Sequence, residues 1–304
     1  MTEFRRVRLR TGVALNVALA GEPANPAVML LHGFPESHRT WREIAPRLAG
    51  EFFLVMPDQR GFAGSDRPQD VDEYKTDILV DDIFALADAL SLQRFGLVGH
   101  DWGGAIAWGA ALRGDPRLTR LAIVNAPHPA VFQKSLIENA AQREASQYIN
   151  FFRSPVAEQA IEAMGLDAFF EKVIGSNADL GKVSDAERQQ YLAEWSQPGA
   201  LTAMLNWYRA SPLIVPPPGL TVPLPEMLLR FATKIRIPTL VMWGMADTAL
   251  LPVQLEGLDT LVDDLTIVEL PGVTHFGPWE APDAVTQALE PFLAADAEAS
   301  AAQA

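Results

Sequence analysis

The stretch Leu97-Val98-Gly99-His100-Asp101-Trp102-Gly103-Gly104-Ala105 constrains this chain more than any other. Residues 95–98 are an apolar run that suits a buried strand, and residues 103–113, rich in small side chains, suit a helix packed closely on a sheet. Between them lies the pattern Gly-x-Asp-x-Gly. A strand that turns at once into a helix forces its apex residue into a strained backbone conformation, and glycines two residues to either side make room for the turn. The apex side chain then stands at the carboxyl edge of the sheet, at a helix N-terminus whose partial positive charge favours an anion. A serine in this slot would suit an esterase; here the slot holds Asp101.

The rest of the chain supplies a sheet for that elbow. Residues 4–10 and 13–20 alternate like an edge hairpin. Residues 27–31 and 52–56 are apolar runs suited to buried parallel strands, residues 77–90 have a helical period with one buried face, and residues 121–124 form another buried run. The buried runs end in loops of special sequence: His32-Gly33-Phe34-Pro35-Glu36-Ser37, then a short helix over 41–48; Asp58-Gln59-Arg60-Gly61-Phe62-Ala63-Gly64-Ser65; and Asn125-Ala126-Pro127. Strands alternating with helices predict an α/β fold with a mostly parallel, doubly wound sheet. After residue 129 the pattern changes to helical stretches at 131–152, 156–174, 185–196 and 200–210. A proline-rich run at 212–225, unfit for regular structure, follows them. Strands resume at 239–243 and 265–270, followed by a helix near 283–294 and a small, polar tail at 295–304 expected to fray. The division is therefore a core of residues 1–128 and 234–304 and a helical insertion, 129–233, lying over the strand ends.

Composition removes several classes of function. A chain of 304 residues can bury a large core, and its net charge of −14 argues against nucleic acid or an anionic membrane as partner. With no cysteine, disulfides, thiolate metal sites and cysteine nucleophiles are excluded. Arg5, Arg6, Arg8 and Arg10 before an apolar stretch faintly imitate a signal peptide. Asn16 interrupts that stretch and its residues alternate, so it is read as a hairpin and the location as cytoplasmic. No segment is long and apolar enough to span a membrane.

A carboxylate is a poor nucleophile towards amides and esters, but it can open a strained or activated carbon by in-line displacement and become an alkyl ester. Hydrolysing that ester needs a base and an acid that orients it, in the chain order nucleophile, acid, histidine. Asp247 follows the 239–243 strand and His275 follows the 265–270 strand, so both side chains can meet above the elbow. The tetrahedral intermediate needs main-chain donors. The N–H of Trp102 is one and that of Phe34 the other, although spacing alone leaves residues 32–35 open as a tight turn. His32 and His100 are read as satisfying buried loop carbonyls. His38 and His128 are read as structural or surface residues without a partner pattern, and no histidine has metal-ligand spacing with another or with a carboxylate.

The motifs at 32–37 and 99–104, with Asp58-x-Arg60-Gly61-x-x-Gly64-Ser65, together resemble the α/β-hydrolase epoxide hydrolases over roughly residues 28–292. Asp247 and His275 fall where that family places its acid and base. The resemblance implies a small-molecule epoxide and water as reactants, vicinal diols as products, and no metal or organic cofactor. It also implies two cap tyrosines that hold the epoxide oxygen. Residues 147–155 around Tyr148 and 205–209 around Tyr208 are similar to their surroundings, whereas Tyr74 and Tyr191 have no such context. A neutral phenol suits that task because it can donate to a developing alkoxide. Haloalkane and haloacetate dehalogenases share the aspartate elbow and stay open as an alternative. Trp102 and Ala105 stand where the fluoroacetate enzymes carry carboxylate-binding arginines, and paired tyrosines are of no use to a dehalogenase. A non-catalytic binding protein of the same fold is the second alternative. Self-association as a homodimer is left open.

Overall fold

The computed structural model of the chain describes residues 2–220, 222–226, 228 and 233–301, with the backbone alone for 296–301. Eight strands, β1 (Glu3–Arg8), β2 (Ala14–Ala20), β3 (Ala27–Leu31), β4 (Phe53–Pro57), β5 (Phe95–His100), β6 (Leu118–Val124), β7 (Thr239–Gly244) and β8 (Leu265–Leu270), form one sheet. Their order is β1-β2-β4-β3-β5-β6-β7-β8. β1 and β2 are an antiparallel edge hairpin and β2 pairs antiparallel with β4, whereas every pair from β4 to β8 is parallel. The parallel strands therefore present their carboxyl ends along one edge. From β3 the chain moves outward to β4 and then crosses back to place β5 on the other side of β3. The loops after β3 and β5 thus meet at a topological switch point, where open α/β sheets bind ligands.

Period-two alternation sends Met29, Leu97, Ile123 and Val241 to one face of the sheet and Val28, Leu30, Val98, Ala122 and Leu240 to the other. On the first face lie α2 (Thr76–Ala89) and α3 (Trp102–Arg113). On the second lie α1 (Ala45–Leu48), preceded by a 3₁₀ turn at His38–Trp41, and the C-terminal helix α12 (Pro282–Ala301), while α11 (Gly277–Glu280), which leads into it, puts Trp279 in the first cluster. Between β6 and β7 come α4 (Pro129–Glu138), α5 (Ala140–Ala145), α6 (Gln147–Arg153), α7 (Ala157–Met164), α8 (Leu166–Phe170), α9 (Asp185–Trp195) and α10 (Ala200–Ala210). Their aromatic residues Phe152, Phe169 and Tyr208 belong to the same apolar cluster as the first face of the sheet.

Several elements differ from the sequence expectation. The stretch 131–152 is three helices, because Asn139 takes an extended backbone and its side chain accepts from Gln142 N–H at 2.9 Å, starting a new helix. The stretch 156–174 breaks at Gly165, whose φ of +85° no helix contains, and ends in a π-helical turn, Glu171–Gly175. The tail expected to fray is helical as far as Ala301, as its alanines and glutamate favour, while 302–304 lie outside the described residues. The start of the proline-rich run is irregular but tethered. Gln133 exchanges two hydrogen bonds with the Ile214 main chain at 2.8 and 2.9 Å, and Arg153 donates to the Leu213 and Ser211 carbonyls at 2.8 and 3.0 Å. Thr221 of that run lies outside the described residues, and the expected return to the core at 233/234 adjoins residues 229–232, also outside them. No helix of the described residues is long and apolar enough to cross a membrane.

Candidate active site

Asp101 stands between β5 and α3 with φ +49° and ψ −121°, a conformation costly for a non-glycine residue. Packing enforces it. A Cβ on Gly99 would lie 2.5 Å from the Gly103 carbonyl oxygen, and one on Gly103 would lie 2.3 Å from that of Leu31. Only glycine lets strand, turn and helix approach so closely. A Cβ on Gly33 would meet the Cβ of Asp101 at 2.4 Å, so the loop after β3 presses directly on the elbow. That loop also supplies a donor: the Phe34 N–H bonds Asp101 Oδ1 at 2.7 Å. Trp102, whose N–H was expected to be the second donor, is the first residue of α3, where main-chain N–H groups have no partner inside the helix.

On the other side of Asp101 the two residues expected from the strand-end loops, Asp247 and His275, come together with it. His275 Nε2 lies 3.6 Å from Asp101 Oδ2, and His275 Nδ1 lies 2.8 Å from Asp247 Oδ2. Asp247 is held in turn. Its Oδ1 accepts from the Ala249 and Leu250 N–H groups, both at 2.9 Å, and its Oδ2 accepts from Asn125 Nδ2 at 2.8 Å. Asn125 ends β6 with φ +45° and uses its amide oxygen to accept from Gly244 N–H at 3.0 Å. Sequence reading took Asn125 only for a strand end; its engagement at both ends of the amide depends on β7 being next to β6.

The charges follow from these contacts. Burial works to raise the Asp101 pKa, but hydrogen bonding and charge from His275 and the Phe34 N–H outweigh it, and the carboxyl is held below its ordinary value. For His275 burial works downward and is outweighed by Asp247 and Asp101, which hold the imidazole well above its ordinary value. Burial and the nearby Asp101 charge raise Tyr148, and burial with Tyr148 and Asp101 raises Tyr208, so both phenols keep their protons at neutral pH.

Tyr148 on α6 and Tyr208 on α10 have ring centroids 6.1 Å apart. Tyr208 is wedged edge-on against Phe34 at 5.0 Å and Trp102 at 5.2 Å. Two cavities meet at these groups. A narrow one of about 200 Å³ is lined by Asp101, His275, Tyr148, Tyr208 and aromatic side chains. A wide one of about 910 Å³ reaches Asp101, Trp102 and both tyrosines from the side of α2 and α3.

The remaining histidines and tyrosines lie outside this chain of contacts, and His32 and His100 meet buried loop carbonyls as expected. His32 Nδ1 is 2.9 Å from the Gly33 carbonyl and its Nε2 accepts from Gln59 N–H at 2.9 Å. His100 Nε2 is 2.9 Å from the His275 carbonyl, while its Nδ1 faces the fully buried Glu36 at 3.5 Å. Glu36 also accepts from Tyr191 OH and Trp279 Nε1, both at 2.9 Å, and this buried carboxylate–imidazole pair beneath the His275 loop had no local sequence signal. His38, read as lacking a partner, pairs with Asp58 at 2.7 Å because the loops after β3 and β4 are adjacent. His128 caps α4, its Nδ1 accepting from Ala130 N–H at 3.3 Å. Tyr74 donates to the Pro68 carbonyl at 2.7 Å, and neither Tyr74 nor Tyr191 lines the two cavities described above. Among the described residues no group of three or more His, Asp or Glu could hold a metal ion.

Residues 26–282 match the family of the alpha/beta hydrolase fold. The chain is 38% identical over 201 residues, 66% of its length and 70% of the relative's, to the AB hydrolase superfamily protein YfhM of Bacillus subtilis. It is 30% identical to epoxide hydrolase 3 of Xenopus tropicalis over 296 residues, 94% of this chain and 76% of that one. A solved structure described as one of the novel epoxide hydrolases from metagenomes of hot environments superposes with a TM-score of 0.89 at 46% identity, covering 96% of this chain and 99% of that one. The Bacillus megaterium epoxide hydrolase in complex with an inhibitor superposes at 0.83 with 27% identity, over 96% and 99% of the two chains.

Proposed function

The chain belongs to the alpha/beta hydrolase family, among its epoxide hydrolases, and from that premise we propose that it opens epoxides to vicinal diols through an ester on Asp101. One observation carries the reading: the Asp101–His275–Asp247 chain and two protonated phenols converge on the same cavity. In this reading the insertion, residues 129–233, is a cap that brings Tyr148 and Tyr208 over Asp101.

Phe34 N–H occupies Asp101 Oδ1, which leaves Oδ2 as the attacking atom. Oδ2 forms a bond to an epoxide carbon as the carbon–oxygen bond breaks. The departing oxygen takes a proton from one of the two tyrosines, and the product is a hydroxyalkyl ester. Esterification removes the Asp101 charge, one of the two that hold the His275 pKa up. The imidazole therefore becomes able to release its proton, which passes through solvent to the tyrosinate, and to act as a base only after the ester has formed. It takes a proton from water, and the hydroxide adds to the ester carbonyl carbon. Oδ1 becomes the oxyanion, already hydrogen-bonded by Phe34 N–H, with the Trp102 N–H, unpaired inside α3, as its second donor in this reading. Collapse expels the diol oxygen, which takes the proton His275 drew from water and leaves Asp101 as a carboxylic acid; that acid passes its proton to His275, which restores both the carboxylate and the imidazolium.

The test is His275→Gln incubated with an epoxide and followed by intact mass and peptide mapping. The expected result is a stable adduct of substrate mass on Asp101. Absence of the adduct, or release of halide from haloalkanes by the native enzyme without diol formation from epoxides, overturns the reading.

A further inference from the structure

The narrow cavity contains one charged group that the reaction above does not use. Lys172 lines it from the π-helical turn Glu171–Gly175, which also places Val173 on the wall and leads on to Asn177. Such turns are uncommon and fall often at functional sites. Phe151, Phe152, Ile161, Phe169 and Val173 make the wall around Lys172 largely apolar, with Asn177 and Thr248 as neutral polar groups in the same cavity. Lys172 is exposed at the rim with its Nζ 5.9 Å above the Phe151 ring. No ion pair to Lys172 is found among the described residues, and its neighbour Glu171 is occupied by Arg188 at 2.8 Å.

The setting makes this cation unusual. A chain with a net charge of −14 repels anions at long range. The wide cavity offers an anion no free partner: Lys75 pairs with Asp72 at 3.0 Å, Arg113 pairs with Asp81 at 2.5 Å, and Asp77 and Glu226 face the same space. In the narrow cavity a carboxylate can reach an unpaired ammonium while its apolar body lies along aromatic walls above Asp101. A space of about 200 Å³ holds a single ring and a short chain, so the body must be compact.

We propose that the narrow cavity selects compact aryl or alkyl epoxides that carry a carboxylate, with Lys172 as the residue that recognises the anion. The assignment rests on the epoxide-opening reading above. Because the ammonium is exposed, the pair is worth about a two- to fivefold preference and not more.

The test compares kcat/KM for styrene oxide and 4-oxiranylbenzoate in the native enzyme, Lys172→Gln and Lys172→Glu, at low ionic strength and at about 0.5 M salt. The carboxylate-to-neutral ratio is expected to fall about two- to fivefold in Lys172→Gln and further in Lys172→Glu. The loss should lie in KM and largely vanish in salt, with styrene oxide turnover unchanged within about twofold. A ratio indifferent to Lys172→Glu, or equal losses on both epoxides, overturns the assignment while native turnover of styrene oxide leaves the epoxide reading standing. If the native enzyme converts neither epoxide, that reading falls and the Lys172 assignment falls with it.

Discussion

The floor of the cavity and its helical wall are built in different ways. The floor is a row of strand-end loops in which main chain presses on main chain: at Gly33, Gly99 and Gly103 an added Cβ would come within 2.3–2.5 Å of a neighbouring atom. Its polar groups are tied several times over, Asp247 by two N–H groups, Asn125 and His275. The wall consists of short helices, of which none among the described residues between β6 and β7 exceeds 11 residues. It joins the floor through hydrogen bonds made largely by side chains along its margin, such as Trp195 Nε1 to the Pro35 carbonyl at 2.7 Å and Tyr191 OH to Glu36 at 2.9 Å, with His275 N–H to the Asn177 carbonyl at 3.2 Å. A floor of this kind suits the fixed placement of reacting atoms that the proposed mechanism requires. A wall of this kind can exchange side chains at modest cost, which suits substrate choice.

Gly33→Ala is the sharpest way to break the floor. The new methyl would strike Asp101 at Cβ and Oδ1 and disturb the Phe34 N–H that bonds the same carboxylate. Displacing the attacking atom by an ångström costs about a hundredfold, so single-turnover ester formation should fall by at least about that factor while circular dichroism retains the folded signal. A variant with near-native alkylation would show that the loop after β3 does not position Asp101.

The same contrast explains what could be read from sequence. The elbow was legible because sterics leave only glycine at 99 and 103, and Asp247 and His275 were legible because strand-end loops after successive strands must lie side by side. Asn125 and the Glu36–His100 pair were not, since each acts across strands far apart in the chain and adjacent only in the sheet. In the wall, continuous apolar periodicity concealed the breaks at Asn139 and Gly165, because the flanking helices bury their apolar residues in one cluster. The π turn that carries Lys172 left no local sequence mark at all.

Removing wall hydroxyls should cost less than disturbing the floor, because in the proposed mechanism either phenol can serve the departing oxygen. Tyr208→Phe and Tyr148→Phe are each expected to slow ester formation by about tenfold, and the double variant by about a thousandfold. Tyr208 should show the greater single loss, since Phe34, Trp102 and Phe152 fix its ring at centroid distances of 4.9–5.2 Å, whereas Tyr148 is half-buried. Stopped-flow tryptophan fluorescence would resolve the step, with Trp102 beside Tyr208. A single variant as damaging as Gly33→Ala would place the wall on the same footing as the floor.

The smallest effect on turnover is expected at the seam where α9 meets the floor, and there the effect is on stability. Glu194 is buried, and burial together with the Asp58 charge raises its pKa from 4.5 to about 7, against weaker opposition from Gln190, Ser37 and His38. Between those two values the folded chain holds a proton that the unfolded chain has released. This group therefore makes stability fall as pH rises from about 4.5 to 7 and contributes no further change above that. Glu194→Gln removes the ionisation, so urea unfolding should find the variant about 2–3 kcal/mol more stable than the native chain at pH 8. The two should be nearly equal at pH 4.5. Turnover should change less than about twofold, as Glu194 lines neither of the two cavities at Asp101. An equal stability difference at both pH values would trace the effect to packing instead of charge. A large loss of turnover would mean that the seam reaches the chemistry and that floor and wall are not separable.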